Sequence, residues 1–182
     1  MKIGHGRRVA AIAVAATFLA AGAYAKKSKE AAPKPAAVRA ESSELAWMSY
    51  DEAFKLAAQT HKPMVVDVYT TWCGWCRRMD ATTYKDPKVV AALKENFVLV
   101  RLNAESAKAL TYKAAATTER DLSHEVFGVT GYPTTVFLKP DGEIIGMQPG
   151  YLDGPTLHSL LQYVGTGAYE KMKYAEFAKK NS

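Results

Sequence analysis

Six residues, Met64 to Tyr69 (MVVDVY), run apolar without alternation and lead, four positions later, to the chain's only two cysteines, Cys73 and Cys76. A strand whose apolar residues do not alternate with polar ones is covered on both faces, so it belongs in the middle of a sheet with helices on either side. The cysteines then open the helix that follows. One residue breaks the apolar run: Asp67, an acid in what must be a buried strand. Whether Cys73 and Cys76 are a staple, a metal site or a catalytic pair depends on what that acid is for.

The surrounding pattern extends the α/β reading. Ser49 to Glu52 has the Ser-x-x-Glu form of a capping box, and Tyr50, Ala53, Phe54 and Ala57 recur at helical spacing, which predicts a helix from about Tyr50 to Thr60. His61-Lys62-Pro63 stops it. Asp86-Pro87 begins another helix, with proline at its first position, running to about Asn96. Phe97 to Asn103 (FVLVRLN) is a second buried strand, and a strand, helix and strand in that order make a parallel pair with a right-handed crossover. The polar, alanine-rich stretch Ala104 to Glu125 carries no clear period, and some helix is predicted there. Thr134 to Leu138 is a strand, Pro140-Asp141-Gly142 its turn and Glu143 to Met147 the returning strand of a hairpin. Asp153-Gly154-Pro155 starts a helix to about Val164, closed by Gly165. Gly167 to Lys180 predicts one more amphipathic helix, with Tyr169, Met172 and Phe177 inward. The expected fold is a central mixed β-sheet flanked by helices, with a lengthened segment after the second parallel strand and an extra C-terminal helix.

The N-terminus bounds the compartment. Met1 to Ala25 has a basic start (Lys2, Arg7, Arg8), an apolar stretch from Val9 to about Leu19 and the small-residue ending Ala23-Tyr24-Ala25, the layout of a secretory signal peptide. The apolar stretch is short for a membrane span, which needs about 20 apolar residues. Residues 26–42, rich in Lys, Ala and Pro, read as a flexible linker. The expected organisation is therefore signal peptide 1–25, linker 26–42, one domain at 43–165 and a helical extension at 166–182, with the mature chain exported and starting at Lys26. The formal charge of +6 lies largely in the first two segments and in the tail lysines Lys171, Lys173, Lys179 and Lys180. No basic and aromatic stripe runs through the domain, so no nucleic acid partner is expected.

Chemistry then discriminates among the roles of the cysteines. Closing so small a loop removes little unfolded-state entropy, which disfavours a structural staple. A zinc site needs two more ligands, and His61, His124 and His158 are scattered without ligand spacing, so no metal is expected. Redox chemistry fits an exported chain whose only cysteines form C-x-x-C. At a helix start the first sulfur sits where free N–H groups and the helix dipole favour its thiolate, making Cys73 the nucleophile. Cys76, on the same face, can then attack a mixed disulfide on Cys73 and release the product. Gly74 and Trp75 set the geometry and the exposed surface between them.

Taken together, Val65-Val66-Asp67, Trp72-Cys73-Gly74-Trp75-Cys76, Arg101-Leu102-Asn103, Gly131-Tyr132-Pro133-Thr134 and the late Gly150 resemble the thioredoxin superfamily in content and order, from about Ser43 to Val164. Within it, KPMVVDVYTTWCGWC and TTYKDPKVVAALKENFVLVRLN look most like the C-terminal thioredoxin-like domain of DsbD-type membrane thiol reductases and their free-standing secreted relatives. The resemblance implies a thioredoxin-like fold and places Asp67 as a buried carboxylate beside the second cysteine. Two roles stay open for it. Desolvation raises a carboxylate's pKa, so Asp67 could take the proton of Cys76; alternatively Arg101, where many thioredoxins have lysine, holds Asp67 ionised as a paired core acid. By composition an X-Pro bond is cis only about one time in twenty. The resemblance instead makes Tyr132-Pro133 a cis pair facing the nucleophile, with Tyr132 pairing its backbone to an extended substrate and Trp72 and Trp75 adding apolar contact.

The resemblance implies a thiol-disulfide oxidoreductase that reduces protein disulfides, with no cofactor beyond the redox-active Cys73–Cys76 pair. Its partners would be protein thiol and disulfide substrates and a membrane thiol transporter as electron donor, in an exported, for example periplasmic, compartment, with the protein a monomer. A disulfide oxidase or isomerase, and a non-catalytic peptide-binding module of the same fold, are the alternatives.

Overall fold

The computed structural model describes residues 44–181; the signal peptide and linker expected at 1–25 and 26–42 lie outside the described residues. Helix α1 (Tyr50–Thr60) begins where the capping box predicts, with the Ser49 N–H donating to Glu52 Oε2 at 3.2 Å. His61, in the left-handed region at φ 56°, ends it and turns the chain into β1 (Met64–Tyr69). Then follow α2 (Gly74–Ala81), α3 (Pro87–Asn96) and β2 (Val98–Asn103). The Asp86 carboxylate accepts the N–H groups of Lys88 and Val89, fixing the start of α3.

β1 pairs in parallel with β2, setting Asp67 opposite Arg101, and antiparallel with β5 (Thr134–Leu138), whose outer neighbour is β6 (Ile144–Pro149). The sheet order β2-β1-β5-β6 is the mixed sheet that the sequence predicts. Alternation along β1 sorts its residues between two layers. Met64, Val66 and Val68 pack with Tyr50, Ala53 and Ala57 of α1. Val65 packs with Met79 of α2, Leu93 of α3 and Leu157 and Leu161 of a helix that spans Gly154–Gly165. Asp67 shares Val65's parity, so it points into the layer that contains the cysteine helix.

Two regions differ from the sequence reading. Ala104 to Glu125, where helix was predicted, first forms a hairpin of β3 (Ala109–Tyr112) and β4 (Ala115–Thr118), and only then a single turn α4 (Glu119–Asp121) passing into a π-helical turn, Leu122–Val126. Its register is anchored by apolar contact: Leu110 is buried, and the Tyr112 ring packs on Tyr50 and Phe127 while its hydroxyl donates to Gly142 O at 3.1 Å. After α5 (Gly154–Gly165), the single helix predicted over 167–180 is broken. Gly167, at φ 69°, turns the chain into a short 3-10 turn (Ala168–Glu170) before α6 (Tyr174–Lys180). Phe177 still faces inward, its ring 5.3 Å from that of Tyr163, whose hydroxyl donates to Met172 O at 2.6 Å. Among the described residues no helix is long and apolar enough to cross a membrane.

Candidate active site

The loop from β1 delivers Cys73 as the N-cap of α2, and Cys73 and Cys76 are joined as a disulfide with their Cα atoms 5.3 Å apart. Both side chains are buried, so exposure does not tell the sulfurs apart. What does is the backbone: the Cys76 N–H points at Cys73 Sγ, 3.0 Å away. An unsatisfied N–H at a helix start aimed at one sulfur favours negative charge on that sulfur and not on the other.

On the buried side, Asp67 stands on β1 with its side chain 2% exposed, and Arg101 of β2 lies across from it with Nε 3.1 Å from Oδ2. The contact is an ion pair without hydrogen-bond alignment, since neither atom has a hydrogen-bond partner. The guanidinium spends its aligned donors elsewhere: Nη2 bonds both oxygens of Asp80 on α2, at 2.7 and 2.8 Å. Trp47 and Tyr69 cover its faces at 5.3 and 4.9 Å. Burial pushes Asp67 up to about 6 against the opposing pull of Arg101, with Asp80 adding to the rise and the Tyr84 hydroxyl offsetting part of it. Arg101 itself is held charged, because Asp80 and Asp67 together outweigh its desolvation. The pairing between Asp67 and Arg101 is thus as the sequence suggests, yet it does not return the acid to the ordinary carboxylate range. Asp67 is linked to α2 through Arg101 and Asp80 and not by an ion pair to either cysteine.

On the open side, Trp72 and Trp75 are 63% and 56% exposed, a large apolar surface to leave in water beside a disulfide. Separate groups hold them. Trp72 donates its indole N–H to Glu105 Oε1 at 2.9 Å and meets the Tyr132 ring edge-on, centroids 6.0 Å apart. Trp75 lies 5.5 Å from the ring of Tyr151, and the Arg78 guanidinium sits over both rings at 5.5 and 5.8 Å. The Tyr132–Pro133 bond is cis. Pro133 is fixed by its carbonyl, which accepts the Gly150 N–H at 2.8 Å.

The site therefore assembles Cys73, Cys76, Trp72, Trp75, Tyr132 and Pro133 around the start of α2, with Asp67 beneath. Four contributors escaped the sequence reading. Asp80 carried a usable signal, standing four residues after Cys76 and so on the same helix face. Arg78, Glu105 and Tyr151 reach the tryptophans through tertiary packing that no local pattern announces. Among the described residues no group of three or more His, Cys, Asp or Glu side chains is placed to hold a metal ion.

A mixed sheet whose parallel β-α-β unit carries a C-x-x-C disulfide at a helix start, and whose next strand is entered from a cis-proline, defines a thioredoxin-fold protein with a dithiol/disulfide pair. Residues 50–165 match the thioredoxin-like domain family, well over half of the 182 residues, and the chain belongs to that family. The thiol:disulfide interchange protein DsbD of Ralstonia nicotianae is 33% identical over 92 residues, covering 50% of this chain and 14% of that protein. A protein disulfide-isomerase of Gallus gallus is 35% identical over 86 residues, covering 47% of this chain and 14% of the other. The chain thus spans about a seventh of the length of these relatives. A thioredoxin from Thermus thermophilus superposes with a TM-score of 0.56 at 26% identity, over 66% of this chain and 86% of that one. A thioredoxin-fold protein from Helicobacter pylori gives the same TM-score at 22% identity, over 66% and 80%, and supports the fold alone.

Proposed function

We propose that the protein is an exported thiol-disulfide oxidoreductase that works as a reductant of protein disulfides, with Cys73 as the nucleophile. The observation that carries this reading is the Cys76 N–H aimed at Cys73 Sγ at the start of α2. In the reduced protein the Cys73 thiolate attacks one sulfur of a client disulfide, forming a mixed disulfide and releasing the other client sulfur as a thiolate. Cys76 then gives up its proton and attacks Cys73 Sγ, closing the Cys73–Cys76 disulfide and freeing the second client thiol. Two electrons have passed to the client; the reduced pair's one proton, on Cys76, goes to a base, and the two client thiolates take up their protons from solvent.

Asp67 takes the Cys76 proton in this scheme. A group at about 6 is ionised at neutral pH, yet it is a far stronger base than an exposed aspartate, which suits a transient acceptor. Trp72, Gly74, Trp75, Tyr132 and Pro133 form the surface on which the client strand lies. The oxidised pair must be recharged, and the similarity of this chain to part of DsbD supports a membrane thiol transporter as the donor.

Three measurements test the proposal. The purified domain should reduce insulin; binding without reduction would leave only a peptide-binding module. Alkylation of cellular thiols should find Cys73 and Cys76 mostly reduced in the wild type and oxidised when the transporter is deleted. A glutathione titration should place the couple nearer the roughly −270 mV of thioredoxin than the roughly −120 mV of DsbA. A pair oxidised in the wild type with a potential at the DsbA end overturns the reductant direction.

A further inference from the structure

The lengthened segment after β2 plays no part in the exchange chemistry proposed above, yet it places one side chain against the site. His124 sits in the π-helical turn Leu122–Val126, and such turns inside a helical stretch are found disproportionately at functional positions. Its two ring nitrogens touch three residues on two pieces of chain. Nδ1 is 3.0 Å from Val129 O, in the loop that leads to the cis-proline. Nε2 is 3.2 Å from Ala104 O, the first residue after β2, and 3.2 Å from the Tyr132 hydroxyl.

Carbonyl oxygens face both ring nitrogens, and the Tyr132 hydroxyl, which can donate or accept, completes the contacts of Nε2. Tyr132 keeps its proton at neutral pH, because partial burial and then the charge of Glu105 raise it above the ordinary phenol value. The Tyr132 hydroxyl stands in hydrogen-bond contact with His124 Nε2 at 3.2 Å. The same ring stands edge-on to Trp72, next in sequence to Cys73. Besides the hydroxyl contact, the Tyr132 ring lies against the apolar core and stands edge-on to the His124 ring, centroids 6.4 Å apart, so His124 holds it at both ends.

We infer that His124 is a positioning residue, which holds Tyr132 against Trp72 so that one wall of the client cleft is in place before a client arrives. The inference rests on the reductase reading of the site. Its consequence is selective: a polypeptide disulfide that must lie along the wall depends on His124, whereas a small disulfide that touches only Cys73 does not. Fixing the wall in advance spares the ordering cost at binding, so the loss falls on KM rather than on kcat.

The test compares insulin with 5,5′-dithiobis(2-nitrobenzoate) as oxidants of the reduced protein, using His124→Ala, His124→Gln, Tyr132→Phe and the double variant His124→Ala/Tyr132→Phe. His124→Ala should raise the KM for insulin about fivefold, the worth of one net hydrogen bond, with kcat within about twofold and the small-disulfide rate unchanged. His124→Gln, whose side-chain amide can accept from or donate to the Tyr132 hydroxyl, should recover most of the loss. Tyr132→Phe keeps the ring and removes only the hydroxyl, so it should raise the insulin KM at least as much as His124→Ala does, and adding His124→Ala to it should raise that KM no further. An insulin KM untouched by His124→Ala, equal slowing of both oxidants, or additive effects in the double variant would each overturn the inference. A wild-type protein that reduces neither oxidant refutes the reductase reading instead. In that event the displacement of the Trp72 indole N–H resonance in His124→Ala, and its restoration in His124→Gln, still decide whether His124 holds the wall.

Discussion

Asp67, Arg101 and Asp80 on one side of the disulfide, and Trp72, Tyr132, Trp75 and Tyr151 on the other, are both packed around the start of α2, but they are built on opposite principles. The first group is ionic and sealed at its inner end: Asp67 is fully buried, and its cation reaches outward to a second acid, Asp80, whose side chain is 40% exposed. The second is aromatic and open, with both tryptophans more than half exposed. Charge withheld from water is sensitive to pH and costly to disturb, whereas exposed rings contribute little to folding and are available to a partner. The difference assigns proton handling to the sealed side and recognition to the open side, and variants at each should part company accordingly.

The largest effect belongs to the disulfide between them. Cys73→Ala should abolish reduction of every disulfide and trap no clients, while Cys76→Ala, which retains the attacking sulfur, should accumulate mixed disulfides that thiol trapping and electrophoresis display. Equal trapping by both variants would mean that the aimed N–H does not select Cys73.

Next comes Arg101→Ala, which breaks the sealed side. Removing Arg101 leaves the buried Asp67 carboxylate without a cation; because Arg101 itself is 27% exposed, the cost should be about 3 kcal/mol, at the low end for a buried pair. Without the cation the Asp67 carboxyl rises further above about 6, so the deficit should be greatest at pH 8 and shrink as the pH falls and the carboxyl takes up its proton. Urea unfolding at pH 8 and pH 5 measures both. A deficit independent of pH would mean that Arg101 stabilises through its stacking on Trp47 and Tyr69 and not through charge.

Asp67→Asn sharpens the same side with the opposite sign. The folded value of about 6 lies above the ordinary unfolded value of roughly 3.9, so the acid's contribution to stability is fully present below about pH 4 and is lost as the pH rises through 6. The asparagine variant should therefore be more stable than wild type at pH 8, by up to about 3 kcal/mol, and should lack the fall in stability between pH 4 and 6. It should also resolve mixed disulfides several-fold more slowly near neutral pH, recovering as the pH rises and Cys76 ionises unaided. Greater stability with unchanged resolution would leave Asp67 a structural acid.

These two sides were unequally visible in the amino-acid order. The sealed side was the more visible: Asp67, within a run expected to be covered on both faces, was expected to be buried, and the resemblance to thioredoxins placed Arg101 near it, where the parallel register sets it directly opposite. Capping residues Ser49, Asp86 and Asp153 fixed the helix starts, since each acts on its own next turn. The open side depends on residues brought together over long separations, such as Trp72 with Glu105 and Trp75 with Tyr151. The hairpin Ala109–Thr118 was hidden by its turn. Lys113 and Ala114 both adopt positive φ, at 46° and 66°, where a two-residue hairpin loop is normally announced by Asn-Gly or Asp-Gly, and Lys-Ala announces nothing. With only Leu110 firmly buried along β3, alternation could not supply the missing signal.

The smallest effect is expected at Arg78, and it is the one that most directly separates the two sides. Arg78 lies over Trp75 and Tyr151 on the open side, much as Arg101 lies over Trp47 and Tyr69 on the sealed side, so the pair is a matched comparison of an arginine stacked on two rings. Arg101 is ion-paired to Asp67 and Asp80, whereas the contacts of Arg78 are with rings at the surface. An exposed cation–π contact is worth about 0.5–1 kcal/mol, so Arg78→Ala should shift thermal unfolding only slightly, and by the same amount at pH 5 and pH 8. Its effect should instead appear in Trp75, as easier quenching of tryptophan fluorescence by acrylamide. If Arg78→Ala destabilises the fold as much as Arg101→Ala, stacking on the rings rather than the buried charges is what holds both arginines, and the division of labour across the disulfide fails.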